Sequence, residues 1–118
     1  MNLNRGDIAL VRFPHDSGGR GKKRPVVVVQ ADVYNRQLRH SIVAEITSNL
    51  SMANDPSNLL IDLSSPENQR TGLTQNSVVT CWHLLTMNDE RIGKVIGVLS
   101  ATMMQKVDLC LKAALQLS

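Results

Sequence analysis

A chain of 118 residues with 42% apolar and 19% charged side chains has room for one domain and the composition to fold it, burying about two-thirds of the surface its unfolded form exposes; a second domain and an intrinsically disordered chain are both excluded. No run approaches the ~18 apolar residues a membrane-spanning helix needs, and Arg5, Asp7 and Arg12 interrupt the stretch where a secretion signal would be apolar, so a cytosolic protein without a membrane partner is expected. The net charge is only +3, but residues 1–40 carry eight Lys/Arg against three Asp while the remainder is mildly acidic, a one-sided distribution suited to a polyanion.

Ile8–Phe13, an apolar run broken by Arg12 and closed by Pro14, predicts a first strand. Pro14–Lys23 contains Gly18, Gly19 and Gly21 and reads as a loop. Pro25–Gln30 follows, and its Val26–Val29 block, β-branched throughout and too short for an independent helix, predicts a strand buried on both faces. Ala31–Asn35 fits a single helical turn. Ser41–Thr47 predicts a third strand with Ile42, Ala44 and Ile46 facing one way and Val43 and Glu45 the other.

Leu59–Leu63, Ser77–Thr86 and Arg91–Leu99 read as further strands, the last because it is mostly β-branched and Gly93 and Gly97 weaken a helix there. From Ser100, a plausible N-cap, Met103, Met104, Val107, Cys110, Leu111, Ala114 and Leu115 recur at helical spacing and predict one amphipathic C-terminal helix. Leu109 falls on its polar side, where a single exposed apolar side chain is either unremarkable or the mark of a subunit contact. Cys81 and Cys110 lack ligand-like spacing and are expected as buried, reduced thiols. Short strands with turns between them imply a mainly β (α+β) fold, an antiparallel sheet or small barrel carrying a C-terminal helix.

Three segments hold residues suited to phosphate chemistry. Lys22-Lys23-Arg24-Pro25 joins three cations to a proline that keeps Arg24 out of a helical conformation. A guanidinium so held offers a planar fork to phosphate oxygens, whereas the two lysines act as compact point charges. Thr47-Ser48-Asn49 places hydroxyls and an amide just after a strand, where they can hydrogen-bond phosphate oxygens or base edges. His83 follows Trp82 in a strand, where an isolated histidine is either a packing residue or one that touches or stacks on a base. His15, His40 and His83 have the side chain for acid–base work, but spacing does not show that any two of them meet, and no HxxxH or HExxH pattern points to a metal. Phe13, Tyr34 and Trp82 are the only aromatics, too few for a stacking platform, so recognition must lean on hydrogen bonds and charge.

Together, Arg5-Gly6-Asp7-Ile8, the Lys23–Gln30 segment, Ile46-Thr47-Ser48, Gly72-Leu73 followed by Ser77-Val78-Val79, and Arg91-Ile92-Gly93 through Gly97-Val98-Leu99-Ser100 with Met104 and Val107-Asp108 resemble the MazF/PemK endoribonuclease toxins, nearly end to end. The resemblance implies an SH3-like antiparallel barrel with a C-terminal amphipathic helix over residues 1–118, a homodimer, an acidic antitoxin partner, and cleavage of single-stranded RNA by its own 2′-hydroxyl without metal or cofactor. Arg24 and Thr47 fall on the family's catalytic arginine and threonine; Arg20, Lys22, Lys23, Ser48, Asn49 and His83 would contact RNA. Two positions depart from the pattern: Gly19 stands where many relatives have a loop glutamate, which leaves the general base open, and His83 replaces a glutamine. The same architecture serves CcdB-like toxins, which bind DNA gyrase and cleave nothing, and a non-catalytic RNA-binding module would share the basic patch. Neither needs the combination of Arg24-Pro25 with Thr47-Ser48.

Overall fold

The computed structural model describes residues 2–12 and 22–118; residues 13–21, with His15, Asp16, Gly19 and Arg20, lie outside the described residues. Strands β1 (Asp7–Arg12), β2 (Lys23–Val28), β3 (His40–Thr47), β4 (Asn58–Ile61), β5 (Ser77–Asn88) and β6 (Ile92–Val98) form one sheet in the order β4-β5-β3-β2-β1-β6, accompanied by helices α1 (Asp32–Gln37) and α2 (Ala101–Leu115). Every neighbouring pair is antiparallel.

The valine block explains the middle of this sheet. Successive side chains alternate between faces, and here both faces are dry. Val27 joins Ile8, Ala44, Ile46, Val79 and Cys81 beneath α2, whose Met103, Met104, Val107 and Cys110 form the buried stripe; Val26 and Val28 join Leu3, Ala9, Val11, Val43, Met87 and Ile92 on the opposite face. Ser100 caps α2 as expected, its hydroxyl accepting the Met103 N–H at 3.1 Å. Leu109 is 65% exposed on the outer side of the helix, and Ile42, expected to pack with Ala44 and Ile46, is 38% exposed.

Packing brings Cys81 of β5 and Cys110 of α2 together as free thiols; desolvation pushes Cys81 up to about 12, with the neighbouring Cys110 adding to it. The single turn expected at 31–35 extends to Gln37, because buried Asn35 donates to the Gln30 carbonyl at 3.0 Å and accepts from the Gln30 amide at 2.9 Å. Arg5 fastens the N-terminal segment across this corner: its N–H donates to Asp32 at 2.6 Å, its Nε to the Val29 carbonyl at 2.9 Å and its Nη2 to Asp108 at 2.5 Å. The Arg5 N–H, followed by the Asn35 amide, holds the Asp32 carboxyl below its ordinary range.

The strand ladder does not close into the expected barrel, since β4 and β6 remain its two edges. The chain between β4 and β5 covers the β6 edge instead. The Val98 N–H donates to the Arg70 carbonyl at 2.9 Å, and an added Cβ on Gly72, whose φ is +71°, would meet the Ile96 carbonyl at 2.1 Å. Only glycine permits that crossing, by its left-handed backbone and its missing side chain. No described helix is long and apolar enough to cross a membrane.

Candidate active site

β2 pairs with β3 through Val28–Val43, Val27–Ala44 and Val26–Glu45, and there the ladder stops, beside a proline that has no N–H to donate. Continued by two residues, the same register sets Arg24 opposite Thr47. Both side chains line a cleft of about 440 Å³ whose walls come from Lys22–Pro25, Ile46–Asn49, Leu73–Gln75 and Ser77. A guanidinium and a hydroxyl from distant parts of the sequence thus open onto one space, with the exposed Lys22, Lys23, Ser48 and Asn49 around them.

Local turns orient the β3 side of this cleft. Thr47 Oγ1 accepts the Asn49 N–H at 3.1 Å and Asn49 Oδ1 accepts the Ser51 N–H at 3.0 Å, so each side chain closes a turn on its own backbone. With those oxygens engaged as acceptors, the Thr47 hydroxyl proton and the Asn49 amide protons are left to donate outward. Such donors suit the non-bridging oxygens of a phosphodiester.

On the β2 side, Arg24 Nη1 lies 3.3 Å from Glu45 Oε1, a pair half-exposed at the arginine and 20% exposed at the carboxylate. The sequence reading placed Glu45 on the Val43 side of the strand without a role. Its i, i+2 relation to Thr47 was the available signal, since strand alternation puts the two on one face.

His83 lies around the corner. β3 pairs Ala44 with Leu84 but Glu45 with Thr80, so Cys81, Trp82 and His83 form a bulge without partners on β3. A bulge re-aims side chains. Here Cys81 stays in the core, Trp82 is 43% exposed, and His83 turns its Nδ1 towards Glu45 Oε2 at 3.7 Å and Thr80 Oγ1 at 3.5 Å. The ring borders a hollow of about 180 Å³ that shares Thr47 and Asn49 with the main cleft.

Of the residues singled out from sequence, Arg24, Thr47, Lys22, Lys23, Ser48 and Asn49 are thus gathered at one cleft and His83 at the adjoining hollow, while Arg20 lies outside the described residues. His40 begins β3, at the opposite end of that strand from Thr47. Sequence reading missed Glu45, Thr80 and the Thr74, Gln75 and Ser77 wall, which tertiary packing supplies.

Comparison with known proteins gives a consistent result. The chain matches, over residues 4–115, the family described as PemK-like, MazF-like toxin of type II toxin–antitoxin system. It is 33% identical to Endoribonuclease MazF6 of Mycobacterium tuberculosis over 119 residues, covering 99% of this chain and 100% of that one. Identity is also 33% to Endoribonuclease EndoA of Bacillus subtilis, over 99% of this chain and 97% of the relative. Among solved structures, a mycobacterial endoribonuclease in complex with its cognate antitoxin superposes with a TM-score of 0.80 at 17% identity, covering 98% of this chain and 97% of that one. A MazE–MazF structure from Deinococcus radiodurans superposes with a TM-score of 0.78 at 18% identity over the whole of both chains, a likeness of fold.

Proposed function

We propose the function from one premise: the chain belongs to the PemK-like, MazF-like toxins of type II toxin–antitoxin systems. It is an endoribonuclease, as its relatives MazF6 and EndoA are named, and the toxin of such a pair. Its substrate is single-stranded RNA, and Arg24 and Thr47 are the catalytic residues. The observation that carries this reading is the single cleft onto which both side chains open, ringed by Lys22 and Lys23.

In the proposed reaction the ribose 2′-oxygen attacks the adjacent phosphorus, the bond from phosphorus to O5′ breaks, and the products are a 2′,3′-cyclic phosphate and a 5′-hydroxyl. Negative charge grows on the non-bridging oxygens during the attack. Arg24 and the Thr47 hydroxyl stabilise that charge more than they stabilise the starting diester, and Arg24 also hydrogen-bonds the departing oxygen. A guanidinium, which holds its proton throughout the working range, serves poorly as the proton acceptor. The reaction as proposed uses no metal or cofactor. Lys22, Lys23, Arg20, Ser48, Asn49 and His83 contact the flanking RNA. The toxin works in the cytosol as a homodimer, and an acidic segment of its antitoxin lies over the basic cleft, as suits charge complementarity; relatives of this fold have been solved as antitoxin complexes.

Cleavage of a natural single-stranded RNA in EDTA, with end-group mapping, tests this. The expected fragments carry 2′,3′-cyclic phosphate and 5′-hydroxyl ends, a single 2′-deoxy substitution at the cut site blocks cleavage, and Arg24→Ala and Thr47→Ala slow it by orders of magnitude. Fragments with 5′-phosphate ends, or full activity in either variant, would overturn the assignment.

A further inference from the structure

We propose that His83 is the general base of the cleavage reaction, with Thr80 and Glu45 holding the ring in the tautomer that makes it one. This rests on the endoribonuclease reading above and supplies what that reading lacks, a group to take the 2′-hydroxyl proton.

The groups facing Nδ1 select the tautomer. Thr80 Oγ1 donates to the Glu45 carbonyl at 3.0 Å, so its only proton is committed there and it faces His83 as an acceptor. Glu45 Oε2, 3.7 Å from Nδ1, is a carboxylate oxygen with no proton to offer it. Two acceptors facing Nδ1 require that nitrogen to carry the proton of the neutral ring, which leaves the lone pair on Nε2. The ring is 59% exposed, so RNA can reach it. Thr47 and Asn49 form the wall common to the cleft and the hollow, so a diester held by Arg24 and Thr47 lies beside the imidazole.

Glu45 acts on both neighbours. One carboxylate oxygen accepts Arg24 Nη1 at 3.3 Å, and the other lies 3.7 Å from His83 Nδ1, within ion-pair range of a protonated ring. As the bond from O2′ to phosphorus forms, the 2′ proton passes to Nε2 and the imidazolium charge develops against Glu45. As the bond to O5′ breaks, the departing oxygen takes a proton from water in the open cleft, and His83 returns its proton to solvent for the next turnover. Glu45 and Thr80 are positioning residues in this scheme. The bulge at 81–83 explains the geometry, because three residues without partners on β3 let His83 turn back over Glu45.

The test is the pH dependence of single-turnover cleavage for the full chain. Among the described residues Glu45 is the only other titratable side chain lining the hollow, Arg24 lies beyond it on β2, and His40 is at the far end of β3, so few groups can imitate the limb sought. The wild type is expected to lose rate on the acid side as its base becomes protonated. H83Q should lower the plateau by about 10²–10⁴-fold and abolish that limb. E45Q should slow the plateau, because the developing imidazolium loses the carboxylate that faces it. R24A and T47A should lower the plateau while keeping the limb. An H83Q variant with an unchanged limb and kcat, or one altered only in KM or in the chosen cut sites, would overturn the proposal while leaving the roles of Arg24 and Thr47 intact. Full activity of R24A would instead strike the underlying reading.

Discussion

Replacing Arg24 with alanine separates catalysis from folding in a measurable way. During attack the diester acquires one additional negative charge. At ~4 Å from the guanidinium and an effective dielectric of ~20, that charge is stabilised by about 4 kcal/mol. At about 1.4 kcal/mol per tenfold, Arg24→Ala should slow single-turnover cleavage by about a thousandfold. Folding should hardly notice, because the side chain is half-exposed and its ion pair, 3.3 Å to Glu45, has the geometry of a surface pair worth at most about 1 kcal/mol. The melting temperature should therefore fall by no more than about 4 °C. Arg24→Lys keeps the charge but loses the planar fork, and should fall between the two, about 10–100-fold slower than wild type. The assay is cleavage of a fluorophore–quencher RNA with enzyme in excess, run beside a thermal melt. A folded Arg24→Ala variant that cleaves within tenfold of wild type would refute the electrostatic reasoning.

Thr47→Ser should keep most of the activity and Thr47→Val should lose about 10²–10³-fold in the same assay, because the valine cannot donate to the phosphorane oxygens. Lys22→Ala with Lys23→Ala should weaken RNA binding and flatten the slope of log affinity against log salt by about 1.4, at about 0.7 for each phosphate no longer neutralised; an unchanged slope in a binding titration would remove both lysines from the RNA path. Gly72→Ala should cost about 3 kcal/mol or more in urea unfolding, because the new Cβ meets the Ile96 carbonyl at 2.1 Å in a left-handed backbone, whereas Gly93→Ala, with its nearest atom at 3.4 Å, should be far milder. The Cys81 thiol, pushed up to about 12 by burial, is held neutral in the fold. An unfolded thiol ionises from about pH 8.5, so the fold loses stability as pH rises from there towards 12, and native Cys81 should resist iodoacetamide at pH 8 while the denatured chain is labelled at once.

The elements were legible because each carries its period in its own residues. Val26–Val28 announced a strand dry on both faces, Ser100 announced a helix start, and Met103, Met104, Val107 and Cys110 announced the face that helix buries. The composition of the cleft was half legible. Arg24 with Pro25, and Thr47 with Ser48, are local groupings that a resemblance to a family could seize on. Glu45 was not, since a carboxylate in an alternating strand looks like any solvated side chain until its neighbours are known.

What the amino-acid order settled by itself is therefore whatever depends on neighbours along the chain: strand and helix periods, caps, turn residues and the basic character of the first forty positions. Tertiary structure decided which of those neighbours meet. The register of β2 on β3 brings Arg24 towards Thr47, the β5 bulge turns His83 back onto Glu45, and the Gly72 crossing covers the β6 edge that strand pairing leaves open. The physical reason is that a catalytic cleft is built from long-range contacts, and a register slipped by one residue would have preserved every local period while turning these side chains to the other face.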